Sequence, residues 1–254
     1  MMDGYGFSVI LLAETASFRD PGGQLYHATL PMPPVSTIIG IAGAALGFPF
    51  QQVWEYFLEN NIGVGVQDIS VKERKKSAGK GLDLWKYQKI VSKELRSDIL
   101  KREFLFRPAY RLYYGSQERR VMESLQQAFH SPAWALTLGT SDDIALLKEV
   151  SSIDRVRKIA GGSTDLSYRL VPGDQSDNYA FNWELIEKEK VTVFLALPMV
   201  KKLPVRFVFG ADGERKGSEY QTFTFLAKFH NLKNPCPAYS FGQETIPLFS
   251  LGNG

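Results

Sequence analysis

A run of prolines leads directly into a helix of small residues between Ser17 and Gly47. The segment reads SFRDPGGQLYHATLPMPPVSTIIGIAGAALG, with prolines at 31, 33 and 34. Proline fixes φ and cannot donate a backbone hydrogen bond, so a helix is admitted here only with proline at or before its first turn. Ser36 or Thr37 is the predicted N-cap of this helix, and Gly47 is its predicted end. The glycines and alanines within it predict a close approach to a sheet or to a ligand.

The patterns on either side of this helix predict a first domain over residues 1–150. Its predicted elements are a buried strand at 6–13, the helix, a second helix at 49–60, strands at 62–71 and 103–115, and an amphipathic helix at 117–130. Within 133–150 we expect a short strand, a turn capped by Ser141 or Asp142 and a short helix. With the two early helices taken as one crossover, this order is the split βαβ pattern of a ferredoxin-like (RRM-like) α+β domain.

Residues 151–254 have a different sequence pattern from the first domain, with strand-like runs in place of long helices. Three strand-like runs, at 189–199, 204–210 and 218–229, are joined by turns that contain glycine or proline, and no long helix is evident. We therefore expect a smaller C-terminal antiparallel β region that packs against the first domain.

Positive charge is concentrated in one inserted segment, although the net charge of the chain is only +3. From Lys72 to Arg111 the sequence has 13 Lys or Arg against 5 Asp or Glu, which leaves 3 − 8 = −5 for the rest. The segment at about 72–102 is predicted to be a long basic β-hairpin inserted between the second and third strands. Such asymmetry indicates an element that faces a polyanion.

The insert combines cations, which suit phosphates, with aromatic rings, which suit unpaired bases. The residues that we expect to contact nucleic acid are Arg74, Lys75, Lys76, Lys80, Trp85, Lys86 and Tyr87. Strand alternation places Arg107, Arg111 and Tyr113 on one face of the strand that follows. The alternative is a solvated hairpin whose Leu82, Leu84 and Trp85 only fold back onto the body of the protein.

Several classes of function are excluded or disfavoured by what the sequence lacks. Neither G-x-x-x-x-G-K-[ST] nor G-x-G-x-x-G occurs, which disfavours a nucleotide-driven motor. The three histidines are far apart and the single cysteine has no His or Cys at ligand spacing, so no metal or other cofactor is expected. No apolar run is long enough to span a bilayer, and the N-terminus is unlike a signal peptide, so we expect a cytoplasmic protein with no membrane partner.

His27 is the one histidine in the proline-rich segment, where it follows Tyr26 directly. On a glycine-rich loop it is suited to act as general base and acid in metal-independent cleavage of RNA. It is equally suited to donate a hydrogen bond to a phosphate or a base edge without chemistry, or to a structural role. The sequence leaves these three uses open.

The N-terminal segment resembles the CRISPR-associated (Cas) family five proteins of the RAMP superfamily. The resemblance rests on an A-x-F-R-x-P turn at 16–21, on the Pro-Pro pair followed by Ser and Thr, and on the helix pattern G-x-x-G-A-x-L-G at 40–47. A weaker match is LTLGTSDDIALL, from Leu136 to Leu147. The remaining chain agrees with the family in layout more than in motif.

The resemblance implies a subunit of the Cascade surveillance complex that binds the 5′ handle of the CRISPR RNA (crRNA) without cleaving it. It implies that Arg19, His27, Ser36 and Thr37 line the handle pocket, that Gly139, Thr140 and Ser141 form a second turn facing RNA, and that the hairpin is a thumb with Trp85 or Tyr87 as its wedge. It also implies contacts with the Cascade backbone subunit and the large subunit, and with target DNA in the assembled complex.

Two alternatives to this function remain at the level of sequence. One branch of the family cleaves precursor crRNA with an active site of Tyr, Lys and His type, and this chain has Tyr26 and His27 but no lysine that aligns with them. The other alternative is a protein-interaction subunit whose basic insert contacts only acidic partners.

Overall fold

The computed structural model describes residues 3–23, 26–91, 94–191, 195–211 and 214–253. The strands are β1 (Gly4–Ala13), β2 (Thr15–Ala16), β3 (Gly63–Asp68), β4 (Gly79–Val91), β5 (Glu94–Phe106), β6 (Ala109–Ser116), β7 (Ala145–Val150), β8 (Asp154–Lys158), β9 (Leu170–Pro172), β10 (Tyr179–Phe181), β11 (Met199–Phe209), β12 (Arg215–Phe225), β13 (His230–Leu232), β14 (Tyr239–Phe241), β15 (Glu244–Ile246) and β16 (Phe249–Ser250). The helices are α1 (Val35–Leu46), α2 (Phe50–Glu59), α3 (Ser70–Arg74), α4 (Arg119–His130) and α5 (Trp183–Lys188), followed by a 3-10 turn at Leu251–Asn253.

The fold is built on an antiparallel sheet in which β1 and β6 are central. The strand order is β15-β14-β8-β1-β6-β3-β16, and β7 pairs with the part of β1 that β8 leaves free. Helices α1 and α4 pack against one face of this sheet. The first strand is buried along nearly its whole length, as its apolar sequence predicts, and Phe7 contacts the rings of Tyr114 and Phe129 at 5.5 and 6.0 Å.

The prediction of helix α1 is confirmed, but the prediction of its N-cap is wrong. Pro34 is the N-cap residue, with extended φ and ψ, and no side chain makes a capping hydrogen bond. Because the Pro34 carbonyl accepts from the Thr37 N–H at 2.9 Å, the proline itself begins the first turn. Gly43 lets α2 approach closely, since a Cβ at this position would lie 3.1 Å from Val53, whereas Gly40 has no neighbour within 4 Å.

The basic segment forms a long antiparallel hairpin of β4 and β5, paired from Gly79 with Phe106 to Val91 with Glu94. Its boundaries differ from the predicted 72–102, because residues 70–74 form the short helix α3 instead. Strand β2 pairs with the base of β5, so the hairpin is joined to the body of the protein directly after β1.

The prediction of a short helix within 133–150 is wrong, because the segment continues into strand β7. Leu146 and Leu147 pair with Leu12 and Leu11 across the edge of β1. Pairing with the edge of β1 stabilises the strand more than the helix propensity of the leucines stabilises a helix.

The main sheet continues across the boundary expected at residue 150. Strands β8, β14, β15 and β16 lie in the main sheet, while β9, β11 and β12 form a separate three-stranded antiparallel sheet. Leu203, Phe223 and Phe249 belong to the same core as β1 and α1. Of the strand predicted at 189–199, only Met199 lies in β11, residues 192–194 fall outside the described part, and helix α5 precedes them. None of the described helices is long and apolar enough to cross a membrane.

Candidate nucleic-acid interface

His27 is held at the base of the hairpin by backbone hydrogen bonds. Its N–H donates to the Lys101 carbonyl at 2.9 Å, and its own carbonyl accepts from the Glu103 N–H at 2.8 Å. The residue therefore continues the outer edge of β5 beyond β2. The half-buried imidazole ring lies 6.1 Å from the ring of Trp85.

Trp85 is the ring around which this cluster is organised. Its indole is 37% exposed, and the Arg102 guanidinium lies 5.4 Å from its centroid. Asp83 holds that guanidinium through two hydrogen bonds, from Nε to Oδ1 at 3.2 Å and from Nη2 to Oδ2 at 2.7 Å. Tyr87 lies further along β4, with its ring 6.4 Å from Trp85. The hairpin thus presents a pre-ordered aromatic and cationic face, which we call the indole face.

The surroundings of His27 favour its neutral form. Burial lowers the pKa of His27, and the positive charges of Arg19 and Arg102 lower it further. The ring is therefore uncharged near neutral pH, with cations on two sides. An anion placed there would gain from these charges and would raise the pKa of the ring.

The turn at 139–143 is fixed against the base of the hairpin. Gly139 has a φ of +116°, and a Cβ there would lie 2.0 Å from the Ser17 carbonyl oxygen. Buried Asp143 accepts from the hydroxyls of Thr15 and Thr140 at 2.6 and 2.8 Å, and the Ser17 hydroxyl donates to the Glu103 carbonyl. The turn therefore lies near the base of β5, with Ser141 exposed and the Thr140 hydroxyl used in an internal hydrogen bond.

Arg19, Ser36 and Thr37 line a groove of about 530 Å³ on the other side of the same loop. Helix α1 begins at this groove with no acidic residue in its first turn, so the positive end of its dipole is not neutralised by its own sequence. The predicted handle pocket is therefore divided, with these three residues in the groove and His27 on the indole face. Arg19 lines the groove, and its positive charge lowers the pKa of His27 on the indole face.

The predicted cations of the insert differ in what they contact. Lys75, Lys76 and Lys86 are exposed and have no ion pair within the described residues. Lys80 pairs with Glu103 at 2.6 Å, and Arg74 donates to the Ala13 carbonyl at 3.3 Å and to Glu14 at 3.4 Å. Three lysines are thus free to meet phosphates, whereas Arg74 holds the base of the hairpin to β1.

The prediction that Arg107, Arg111 and Tyr113 share one face is wrong. Strand β6 begins at Ala109, and Arg107 lies before it with a φ of 54° and an ion pair to Glu14 at 3.5 Å. Tyr113 is buried against Phe241 at 5.1 Å, and its hydroxyl donates to Gln67. Alternation does place Arg111 and Tyr113 together, but the β14–β15 hairpin covers that ring and removes it from any surface.

Sequence reasoning missed the residues that complete both parts of the interface. Arg102 and Asp83 meet because of the β4–β5 register, which only the hairpin alignment reveals. Arg215, Ser218 and Tyr220 close the groove from β12, far along the chain, and no local signal marks them.

Residues 9–192 match the model of a family described as "CRISPR-associated protein (Cas_Cas5)". The solved structure "Crystal structure of a CRISPR protein from Archaeoglobus fulgidus" is similar at 10% identity with a TM-score of 0.52, over 97% of this chain and 99% of that chain. A chain of "CRISPR RNA-guided surveillance complex" is similar at 15% identity with a TM-score of 0.49, over 96% and 91%. No curated protein matches the chain.

Proposed function

Since the chain belongs to the CRISPR-associated protein (Cas_Cas5) family, we propose that it is a non-catalytic crRNA-binding subunit of a type I CRISPR Cascade complex. In this role it caps the 5′ handle of the crRNA, and it contacts the backbone and large subunits of the complex that recognises target DNA. The resemblance in the proline-rich segment and the match over residues 9–192 support the same family.

The topology supports the proposal at the level of the domain. In the main sheet β7 and β8 pair with one edge of β1, and β6 and then β3 follow on the other side of β1. In chain order these are the fourth, first, third and second strands, and α1 and α4 pack against them. The same strand order is expected of a ferredoxin-like domain, so it supports the proposal and with it the assignment of the β4–β5 hairpin as the thumb.

The observation that carries the proposal is the indole face beside the 139–143 turn. Sequence-independent binding of single strands uses aromatic rings on which bases stack and cations that follow the backbone. Trp85 supplies a partly exposed ring fixed by Arg102, and the exposed lysines at 75 and 76 supply positive charge just before the hairpin begins. Because Asp83 and Arg102 hold the ring from within the hairpin, Trp85 is in place before a base stacks on it.

The direct test is fluorescence anisotropy with a labelled single-stranded repeat RNA. Because stacking on one ring contributes about 1–3 kcal/mol, Trp85→Ala is expected to weaken binding about tenfold or more. Leu84→Ala is the matched control, since Leu84 is the chain neighbour of Trp85, points to the opposite face of the hairpin and is 69% exposed. Equal effects of the two substitutions, or no binding by the wild type, would contradict the proposal and favour a protein-interaction role.

One observation favours the alternative of an endoribonuclease. The lowered pKa keeps His27 neutral near pH 7, which is the state that a general base needs, and Tyr26 beside it is 41% exposed. Incubation of the protein with repeat RNA in EDTA separates the two functions. Intact RNA is expected, whereas cleavage at the handle boundary that His27→Ala abolishes would replace the non-catalytic proposal.

A further inference from the structure

The groove that contains Arg19, Ser36 and Thr37 has a second wall built from the β11–β12 hairpin. Strands β11 and β12 contribute Leu203, Pro204, Phe207, Arg215, Ser218 and Tyr220. These residues lie outside the range 9–192 that matches the family model, so this wall is a feature of the chain that the match does not cover. At about 530 Å³ the groove has the size of an ordinary small-ligand site.

Aromatic rings form the floor and one side of the groove. The rings of Phe50 and Phe207 are 4.9 Å apart, and Phe50 is 44% exposed. Tyr220 is 49% exposed and stands opposite Pro204 in the β11–β12 register. A flat ring exposed at the side of a groove is a surface on which a base can stack.

Two guanidiniums stand at this groove without an anionic partner. Neither Arg19 nor Arg215 forms an ion pair within the described residues, and the Arg215 guanidinium lies 5.2 Å from the ring centroid of Phe207. The nearby acid Asp20 is already paired with Lys201 at 2.5 Å. The groove therefore combines unpaired positive charge, the hydroxyls of Ser36 and Thr37 and exposed rings, which together match a phosphate, a ribose and a base.

Arg19 relates the groove to the indole face. It lines the groove and forms a β-bridge with Thr29, two residues after His27, which is hydrogen-bonded to the edge of β5. An apolar peptide would satisfy the rings but would leave both guanidiniums unpaired.

We infer that this groove is a slot for one unpaired nucleotide of the bound RNA, with its base against Tyr220 and its phosphate between Arg19 and Arg215. The inference rests on the proposed RNA-binding function and adds recognition by the β11–β12 hairpin to it. The slot is distinct from the indole face, so the bound strand has two positions at which loss of a base is costly.

Abasic scanning tests the slot. A labelled repeat RNA is synthesised as a series in which each nucleotide in turn lacks its base, and the affinity of the wild type is measured for every member. Two positions are expected at which binding weakens about tenfold, one for each stacked base. In Tyr220→Ala one of these two position-specific losses disappears and the other, which belongs to Trp85, remains. In Arg215→Gln overall affinity falls several-fold and depends less steeply on salt.

Arg206→Gln is the matched control. Arg206 lies on the same hairpin but pairs with Glu219 at 3.5 Å and lines a different groove, so its removal is expected to leave the scan unchanged. The slot is overturned if Tyr220→Ala gives the wild-type scan, or if Arg206→Gln weakens binding as much as Arg215→Gln. If the slot is overturned in this way but the wild type still loses affinity at the RNA position that stacks on Trp85, the proposed RNA-binding function stands. If no abasic position weakens binding to the wild type, both the slot and the proposed function are contradicted.

Discussion

Neutralising Lys75 and Lys76 together should change how RNA affinity depends on salt by a calculable amount. Both lysines are exposed at the end of α3 and neither has an ion pair within the described residues, so each is available to displace a counterion from RNA. For single strands the slope of log K against log salt changes by about 0.7 for each phosphate that a cation neutralises. The Lys75→Gln/Lys76→Gln variant is therefore expected to have a slope shallower by about 1.4.

The assay is anisotropy with a single-stranded repeat RNA at several salt concentrations between 50 and 200 mM. Over this fourfold range a slope difference of about 1.4 corresponds to about a sevenfold smaller loss of affinity in the variant than in the wild type. The matched control is Arg157→Gln/Lys158→Gln, which removes two exposed charges from strand β8 in the main sheet. A variant slope equal to the wild-type slope, or an equal change in the control, would refute the reasoning.

The remaining predictions concern the stability of the 139–143 turn and the pH dependence that His27 and His230 produce. Gly139→Ala should lower the free energy of unfolding by about 3 kcal/mol or more, because residue 139 has a φ of +116° and a Cβ there would overlap the Ser17 backbone. Gly40→Ala should raise the free energy of unfolding by about 0.5–1 kcal/mol, because a Cβ at this helix position has no neighbour within 4 Å. Urea unfolding measures both changes. RNA affinity should rise about threefold from pH 7.5 to pH 6.0, because bound phosphate favours protonation of His27, and the rise should be absent in His27→Gln. Burial also lowers the pKa of His230, so the folded state binds fewer protons than the unfolded state; the unfolding temperature should fall as pH drops below about 6.5, and fall less in His230→Gln.

The parts of the fold that local sequence determines were predicted well. The apolar run of β1, the proline-led start of α1 and its end at Gly47 depend on residues close together in the chain, and Gly47 has the left-handed φ of 73° that a helix end requires. The basic hairpin was predicted from its charge and from its place between the second and third predicted strands. The segment after Ser141 was not, because whether it forms a helix or a strand depends on the free edge of β1, which is distant in sequence.

In the candidate site too, features set by neighbouring residues were predicted and features set by distant residues were not. The resemblance grouped Arg19, His27, Ser36 and Thr37 in one pocket, but only Arg19, Ser36 and Thr37 line the groove. Arg215 and Tyr220 reach this groove only through the packing of β12 on the core. Tyr113 was assigned to the interface because strand alternation places it on one face with Arg107 and Arg111. Its ring is buried because the β14–β15 hairpin folds over that face of the sheet, an arrangement that no pattern in β6 indicates.

Ultraviolet crosslinking of the intact protein to unmodified single-stranded repeat RNA, followed by mass spectrometry of the crosslinked peptides, tests the central claim most directly. The account predicts crosslinks on the indole face, at Trp85 and at the Tyr26–His27 pair, with a second set at Tyr220. Crosslinks confined to α4 and the β8 edge of the sheet, with none on the hairpin or its base, would contradict it.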